Sequence, residues 1–374
     1  MRPRRPEAGP LKILLIRLRL IGDVVLTTPV IRALRRTFPD AHLTYLVEPP
    51  AAPVVARNPH LDDVIVSPLL QGAARVREDA RLGLRLRRQR FDTVIDFHGG
   101  PRSSLLAWLT GARTRIGYRM KGRGWMYSVR IERPRGYRAR HSVTNQWDLL
   151  RALVPGLAAP DPAADPVEMV EDPAAMGRVA SHVLAWGFQP SDEVVVLHVG
   201  AGNEFRRWPE SSFAQVVARL TAGSPNRRII LTTGAAQAAR AEEVRRLAVE
   251  GGVAARAIAV ACDLDLAELR TLVARSALFI GGDSGPAHIA STTMTPMVVI
   301  FGPTTPEVWG PWRDTALPTE IVDVGTLPCR PCDQRVCEPG DFRCLRGIGP
   351  DAVAAAAMRM LDRDRERPRS RSRV

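Results

Sequence analysis

The sequence predicts an α/β protein made of two Rossmann-like halves, each built on a parallel sheet. Three observations predict it. Short apolar runs alternate with helical patterns along most of the 374 residues, the arrangement that yields parallel, doubly wound sheets. The alternation fails once, between Val154 and Asp172, in a Pro-, Ala- and Asp-rich stretch of the kind that joins domains. Glycines and small polar residues follow several of the strand-like runs, at the carboxyl edge where open α/β sheets hold ligands.

Residues 1–10 read as a disordered leader, basic and rich in proline. Residues 11–160 form the first predicted domain. It opens on a buried strand, Leu11 to Leu18, and Ile21-Gly22-Asp23 turns into a helix running to about Thr37. Pro29 lies inside that pattern and predicts a kink or a late helix start. Strands follow at His42 to Val47, Asp63 to Val66, Asp92 to Phe97 and Thr114 to Gly117, with an Arg/Leu-rich helix ending near Arg90. Residues 161–361 form the second domain, with strands Val194 to His198, Arg228 to Thr232, Ala277 to Ile280 and Met297 to Phe301. Its helices start at Glu210, Gln237, Leu266 and Pro286, and a last one spans Pro350 to Leu361. Residues 362–374 read as a solvated basic tail.

Composition narrows the function classes little. Hydrophobic content of 45% and charged content of 25% are those of a globular protein. The formal charge of +14 arises from 53 Lys+Arg against 39 Asp+Glu, with Arg greatly outnumbering Lys, and favours anionic partners. No run of eighteen apolar residues exists, so no membrane-spanning helix is expected. The first apolar patch is interrupted by Arg17 and Arg19 and lacks a cleavage site, unlike a signal peptide, and a cytoplasmic location is expected.

Three constellations carry chemistry. In Arg17-Leu-Arg-Leu-Ile-Gly-Asp23, Asp23 is either a first-turn acid stabilising a helix or a carboxylate placed to take a proton from a hydroxyl nucleophile. In His198-Val-Gly-Ala-Gly-Asn-Glu-Phe-Arg-Arg-Trp-Pro, the loop Gly200-Ala201-Gly202 and the Arg206-Arg207 pair precede a helix. That is equipment for holding a diphosphate, or else a plain turn with solvated arginines. The loop fits neither G-x-G-x-x-G nor the P-loop pattern, so neither a dinucleotide nor ATP is supported by them. In Gly281-Gly-Asp-Ser-Gly-Pro-Ala-His288, Asp283 suits sugar hydroxyls, Ser284 and Gly285 suit phosphate, and His288 is a packed helix residue or a catalyst. Asp263-Leu-Asp265 spells a metal-binding pair but precedes a helix, which it is expected to cap.

These stretches bring a family into view. From about Leu11 to Val353 the chain resembles the heptosyltransferases of lipopolysaccharide core synthesis, glycosyltransferase family 9. The resemblance rests on LLIRLRLIGDVVLTTPVIRALRRTFPDAHLTYLVEP, VVLHVGAGNEFRRWPESSFAQV, LFIGGDSGPAHIASTTMTPMVVIFGPTTP and a cysteine segment, in that order. It implies a GT-B architecture, two Rossmann-like domains facing an interdomain cleft. It also implies an ADP-heptose donor on the C-terminal half, a lipid-linked core acceptor on the N-terminal half, and inverting transfer without a metal cofactor. Asp23 matches the family's general base. Arg206 matches a position that is usually Lys, and Gly200, Ala201, Gly202, Asp283, Ser284, Gly285 and His288 match the donor-binding stretches. Arg17, Arg19, His98 and Arg102 are the acceptor-side candidates. No acid for the nucleotide ribose stands out after Gly234, and Glu242 is a poor match.

Cys329, Cys332, Cys337 and Cys344 form a C-x2-C-x4-C-x6-C segment, which is either a structural Zn or Fe site or a set of reduced or pairable thiols. The basic surface suits peripheral contact with an anionic membrane, through Arg81 to Arg90 and through Arg113 to Arg138, where Tyr118, Trp125 and Tyr127 are interleaved. Nucleic acid is disfavoured, since no recognised module for it is visible. The expected activity is heptosyltransferase II-like transfer to the inner core. The rivals are a family-9 enzyme with a protein acceptor or another nucleotide sugar, a nucleotide-sugar epimerase, and a basic scaffold with a vestigial cleft.

Overall fold

The computed structural model describes residues 9–133 and 140–365. The start of the expected leader, part of the arginine-rich run and the end of the expected tail lie outside the described residues. The chain divides into two compact units, Met1–Val170 and Glu171–Val374.

The first unit holds strands β1 (Lys12–Ile16), β2 (His42–Val47), β3 (Asp63–Val66), β4 (Thr93–Asp96), β5 (Thr114–Tyr118) and β6 (Val129–Ile131). They lie in the order β3-β2-β1-β4-β5-β6, all parallel. Leu14, Ile16, Leu46 and Val94 pack from the sheet against Leu82, Leu86 and Leu106 of the covering helices. The pattern around Pro29 resolves as two helices, Ile21–Val25 and Thr28–Thr37. Thr27 and Thr28 turn their hydroxyls back onto the carbonyls of Val24 and Val25, each at 2.7 Å. Pro29 then falls in the first turn of the second helix, where its missing N–H leaves no bond unmade. The strand Val129–Ile131 and the helices Pro101–Leu109 and Ser142–Leu153 have no counterpart in the sequence reading.

The unit boundary falls ten residues later than the expected 160/161 division. The reason is electrostatic. Arg36 pairs with Asp165 at 2.8 Å, Arg32 pairs with Glu168, and the Glu168 N–H donates to Thr28 Oγ1 at 2.9 Å. The second half of the predicted linker is therefore fastened to the helix Thr28–Thr37.

The second unit holds β7 (Glu193–His198), β8 (Arg227–Thr232), β9 (Ile258–Ala261), β10 (Leu278–Gly282), β11 (Met297–Ile300) and β12 (Thr319–Val322). Their order is β12-β11-β10-β7-β8-β9, again all parallel. The expected double α/β fold holds. Asp265 caps the helix Leu266–Arg275 by accepting from Glu268 N, and Glu268 returns the bond to Asp265 N, both at 2.8 Å. The last helix runs on to Arg365, past the expected end at Leu361, with Arg359 paired to Glu320 and Arg365 to Glu193. The first residues of the expected solvated tail are thus helical.

In both sheets the strand order reverses beside the unit's first strand, between β1 and β4 and between β7 and β10. Such switch points leave a crevice at the carboxyl ends of the strands. Each of the three sequence constellations lies at one of them.

Candidate active site

In the second unit, β7 and β10 are neighbours with His198 opposite Gly281. The loop after β7 and the loop after β10 therefore leave the sheet side by side. The carbonyl of Arg206 stands 3.5 Å from where a Cβ on Gly282 would be, so the first loop crosses directly over the second. A Cβ on Gly200 would lie 2.5 Å from Thr233 Oγ1, and glycine is required there. Gln237 then clasps the backbone of Ala201, accepting from its N–H at 3.1 Å and donating to its carbonyl at 2.9 Å. A Cβ on Gly202 would meet open space, so packing does not demand that glycine.

Asp283 is buried, its side chain 3% exposed, and it faces Arg206 at 3.2 Å. Thr304 Oγ1 donates to the same carboxylate oxygen at 2.6 Å. His288 Nε2 lies 3.9 Å from the other. Arg206 is further held by Gln334, whose side-chain oxygen accepts from Nε at 2.7 Å. With Nε and Nη1 engaged, Nη2 has no partner among the described residues, and the side chain is 30% exposed. The result is a cation fixed on two sides and open on the third. Asp283 is thus turned inward onto Arg206, instead of outward as suits a sugar hydroxyl. Ser284 heads the short helix Gly285–Ala290, its hydroxyl donating to the Gly282 carbonyl at 3.1 Å. The N–H groups of Ser284 and Gly285 find no acceptor among the described residues.

In the first unit, β1 and β4 end together, and Arg17 Nη1 donates to the Phe97 carbonyl at 2.7 Å. Arg17 also pairs with Asp23 through Oδ2. That oxygen also accepts from the Leu20 N–H at 3.5 Å, a one-way bond at the helix start, since the Leu20 side chain has no acceptor to return it. Oδ1 receives no donor among the described residues. The two readings of Asp23 thus divide between its two oxygens, one anchored and one free. His98 stands beside this pair. Burial first, then the positive charge of Arg17, holds its imidazole below the usual range, against the opposing pull of Asp96. Asp96 itself is fully buried and accepts from Tyr127 OH at 2.6 Å and from the His98 N–H at 2.8 Å.

A profile of Glycosyltransferase family 9 (heptosyltransferase) matches residues 80–341. The chain belongs to glycosyltransferase family 9. Lipopolysaccharide heptosyltransferase 3 of Escherichia coli is 26% identical to it over 325 residues, covering 85% of this chain and 91% of that protein. The crystal structure of a family-9 glycosyl transferase from Veillonella parvula superposes with a TM-score of 0.79 at 22% identity, covering 96% of this chain and all of that one. The ADP-heptose lps heptosyltransferase II of E. coli gives 0.74 at 18% identity, covering 95% of this chain and all of that one. The architecture is therefore GT-B.

Within this glycosyltransferase, the four acceptor-side candidates separate. Arg17, Arg19 and His98 lie at the ends of β1 and β4, with Arg19 exposed. Arg102 does not serve as a free cation. It is held by Glu48 at 2.7 Å, by Asp79 at 2.7 Å and by Ser67 at 2.6 Å, with its side chain 10% exposed. Paired with two carboxylates, it ties the loop after β2 to the helices Gly72–Arg88 and Pro101–Leu109. Sequence reading missed Thr304, Gln334, Asn203 and Gln237. Thr304 had a signal, since it ends the F-G-P-T string that follows β11. Asn203 lay inside the quoted stretch after His198 and Gln237 at an expected helix start, where neither amide marks a role by its type, and Gln334 carried no signal.

His198 closes β7 beneath Gly200, buried and bonded through Nδ1 to Thr232 Oγ1 at 3.1 Å. Burial pushes its imidazole down to about 4, only partly opposed by a hydrogen bond to the Gly200 backbone. Between about pH 6.5 and about 4 the unfolded chain takes a proton that the folded chain refuses. Stability is thus present above that window and lost as pH falls through it, by about 3 kcal/mol in all. In His198→Asn, the difference in unfolding free energy from wild type is expected to shrink across this range. A constant difference from pH 7 to pH 4 counts against it.

The cysteines are free thiols, all half-buried. Burial pushes the Cys344 thiol up, and the neighbouring Cys337, Cys329 and Cys332 push the same way, so the four share one neighbourhood. Among the described residues, no three His, Cys, Asp or Glu side chains stand close enough together to hold a metal ion. The segment leans on the donor-loop side of the sheet. Cys332 N donates to the Pro303 carbonyl at 3.1 Å, and Arg330 Nε to the Thr304 carbonyl at 2.9 Å.

Proposed function

We propose that this glycosyltransferase moves a heptose from ADP-heptose to the inner core of lipopolysaccharide, with inversion at the anomeric carbon. The observation that carries the donor half is Arg206, a cation fixed by Asp283 and Gln334 with one nitrogen left open beside unbonded N–H groups. A leaving diphosphate gains negative charge as its bond breaks, and fixed donors of this kind stabilise it most in the transition state. On the acceptor side, the core hydroxyl attacks the anomeric carbon as the carbon–oxygen bond to ADP breaks. The hydroxyl proton passes to Asp23 Oδ1, and the electron pair of the broken bond stays on the diphosphate facing Arg206. Arg17 keeps the Asp23 carboxylate in place throughout. The transfer is proposed to need no metal, since Arg206 and the backbone N–H groups supply the counter-charge.

The family supports heptose as the sugar, and the name of the E. coli structure supports ADP-heptose as the donor. The experiment is release of ADP from ADP-heptose with a panel of truncated core acceptors. Release is expected only with an acceptor present. A heptosyltransferase II-like preference within the panel separates this enzyme from the reaction of heptosyltransferase 3. Release that never depends on a core acceptor, or requires a protein acceptor, rejects the reading.

Peripheral attachment to an anionic membrane is part of the same proposal. Trp108 and Trp125 form an edge-to-face pair, centroids 5.7 Å apart, and both are exposed. Arg85, Arg87 and Arg88, on the helix packed beside Trp108's own, make no ion pair among the described residues. Tyr118 and Tyr127, expected on this surface, are buried instead. No described helix is long and apolar enough to cross a membrane. Amphipathic aromatics beside free cations favour the interface of an anionic bilayer. Sedimentation with phosphatidylglycerol vesicles, lost in Trp108→Ala/Trp125→Ala, is the expected result; equal binding to phosphatidylcholine vesicles contradicts it.

A further inference from the structure

We propose that Gln334, from the four-cysteine segment, is a positioning residue that aims Arg206 at the donor diphosphate. The inference rests on the donor reading above and assigns that site a part outside the loops that follow β7 and β10.

The side-chain oxygen of Gln334 accepts from Arg206 Nε at 2.7 Å and from Asn203 Nδ2 at 3.1 Å. Arg206 Nε can only donate, so the Gln334 atom facing it must be the carbonyl oxygen, and two donors fill that oxygen's capacity. The orientation of the amide is thereby fixed. Asn203 is itself held, its own oxygen accepting from Phe205 N at 3.0 Å.

The backbone behind Gln334 is also pinned. Gln334 has a φ of 60°, in the left-handed region that a non-glycine residue seldom adopts. Its N–H donates to Cys332 Sγ at 3.2 Å, which closes the turn. Cys332 and Arg330 in turn dock on the carbonyls of Pro303 and Thr304. The Thr304 hydroxyl is the group that holds Asp283. One loop thus supports both sides of Arg206, Asp283 through Thr304 and Gln334 through Cys332.

This arrangement has a physical consequence. A free arginine side chain carries about 2 kcal/mol of rotamer entropy. Fixing Nε and Nη1 before the donor arrives removes most of that loss from the binding step. Without Gln334, Arg206 keeps its charge and its contact with Asp283 but can swing about the remaining bond.

The test is calorimetric titration of ADP into the full chain, as a double-mutant cycle. Gln334→Met keeps length and bulk but removes the acceptor. In wild type it is expected to weaken ADP binding by about fivefold to twentyfold. In an Arg206→Lys background, which keeps the charge but has no Nε, the same substitution is expected to change affinity less than twofold. A merely structural role predicts the same loss in both backgrounds, together with a lowered Tm. Equal losses, or no loss in wild type, overturn the inference while leaving the donor reading intact. Failure of wild type itself to bind ADP overturns both.

Discussion

Asp23→Asn is expected to lower transfer by about 10²-fold or more while ADP-heptose binds within severalfold of wild type. The split follows from how the two oxygens are used. Oδ2 is engaged by Arg17 and lies next to the Leu20 N–H, and an asparagine oxygen can still accept from both. Oδ1 has no donor among the described residues and becomes an amide nitrogen that cannot take a proton. The fold is therefore kept while the proposed acceptor of the proton is lost. If Asp23 were only a first-turn acid, the substitution would lower stability by about 1 kcal/mol and leave turnover alone. Single-turnover transfer and thermal unfolding, measured on the same preparation, tell the two apart. Unchanged turnover removes Asp23 from the base role.

Arg206→Gln is the second large effect. Charge-assisted bonds to a phosphate contribute about 1.5–3 kcal/mol, so ADP affinity is expected to fall by about tenfold to a hundredfold. The loss should grow as salt is lowered, because the contact is ionic. A further fall in kcat is expected, since the diphosphate carries more charge at the transition state than in the bound donor. Asp283 is left with Thr304 but no cation, and a lowered Tm should accompany the change. Arg206→Lys restores the charge without the Nε contact and should recover part of the affinity. Titration of ADP at two salt concentrations reads the effect. A variant that loses stability but binds ADP as tightly as wild type shows that Arg206 faces the protein alone.

How far the sequence could reach depended on what each feature is made of. The two sheets were legible because buried parallel strands appear as unbroken apolar runs, as in Lys12–Ile16 and Glu193–His198. β6, β9 and β12 were not, because each is three or four residues long and lies at the end of its sheet. The loops carrying Asp23, Gly200 and Asp283 were legible because turns at strand ends restrict which residues fit, and Gly200 has no room for a side chain. What the residues do within those loops was less so. Asp283 suited a sugar hydroxyl by its residue type, and its contact with Arg206 at 3.2 Å was not foreseen. Arg102 stood among the acceptor-side candidates and is paired with Glu48 and Asp79. Both pairings were hidden for one reason, since Arg206 and Glu48 lie 77 and 54 residues away along the chain. No local pattern announces such pairings. Gln334 is the extreme case, an unremarkable amide whose position is set by a sulfur two residues before it and an arginine 128 residues away.

The most direct test is the chemistry of the product. Wild-type enzyme, ADP-heptose and a truncated inner-core acceptor should yield an acceptor heavier by one heptose residue, with the new linkage inverted relative to the donor. Mass spectrometry reads the first and NMR of the anomeric proton the second. An acceptor of unchanged mass, with the donor alone converted to another sugar nucleotide, contradicts the account, as does a product that retains the donor's anomeric configuration.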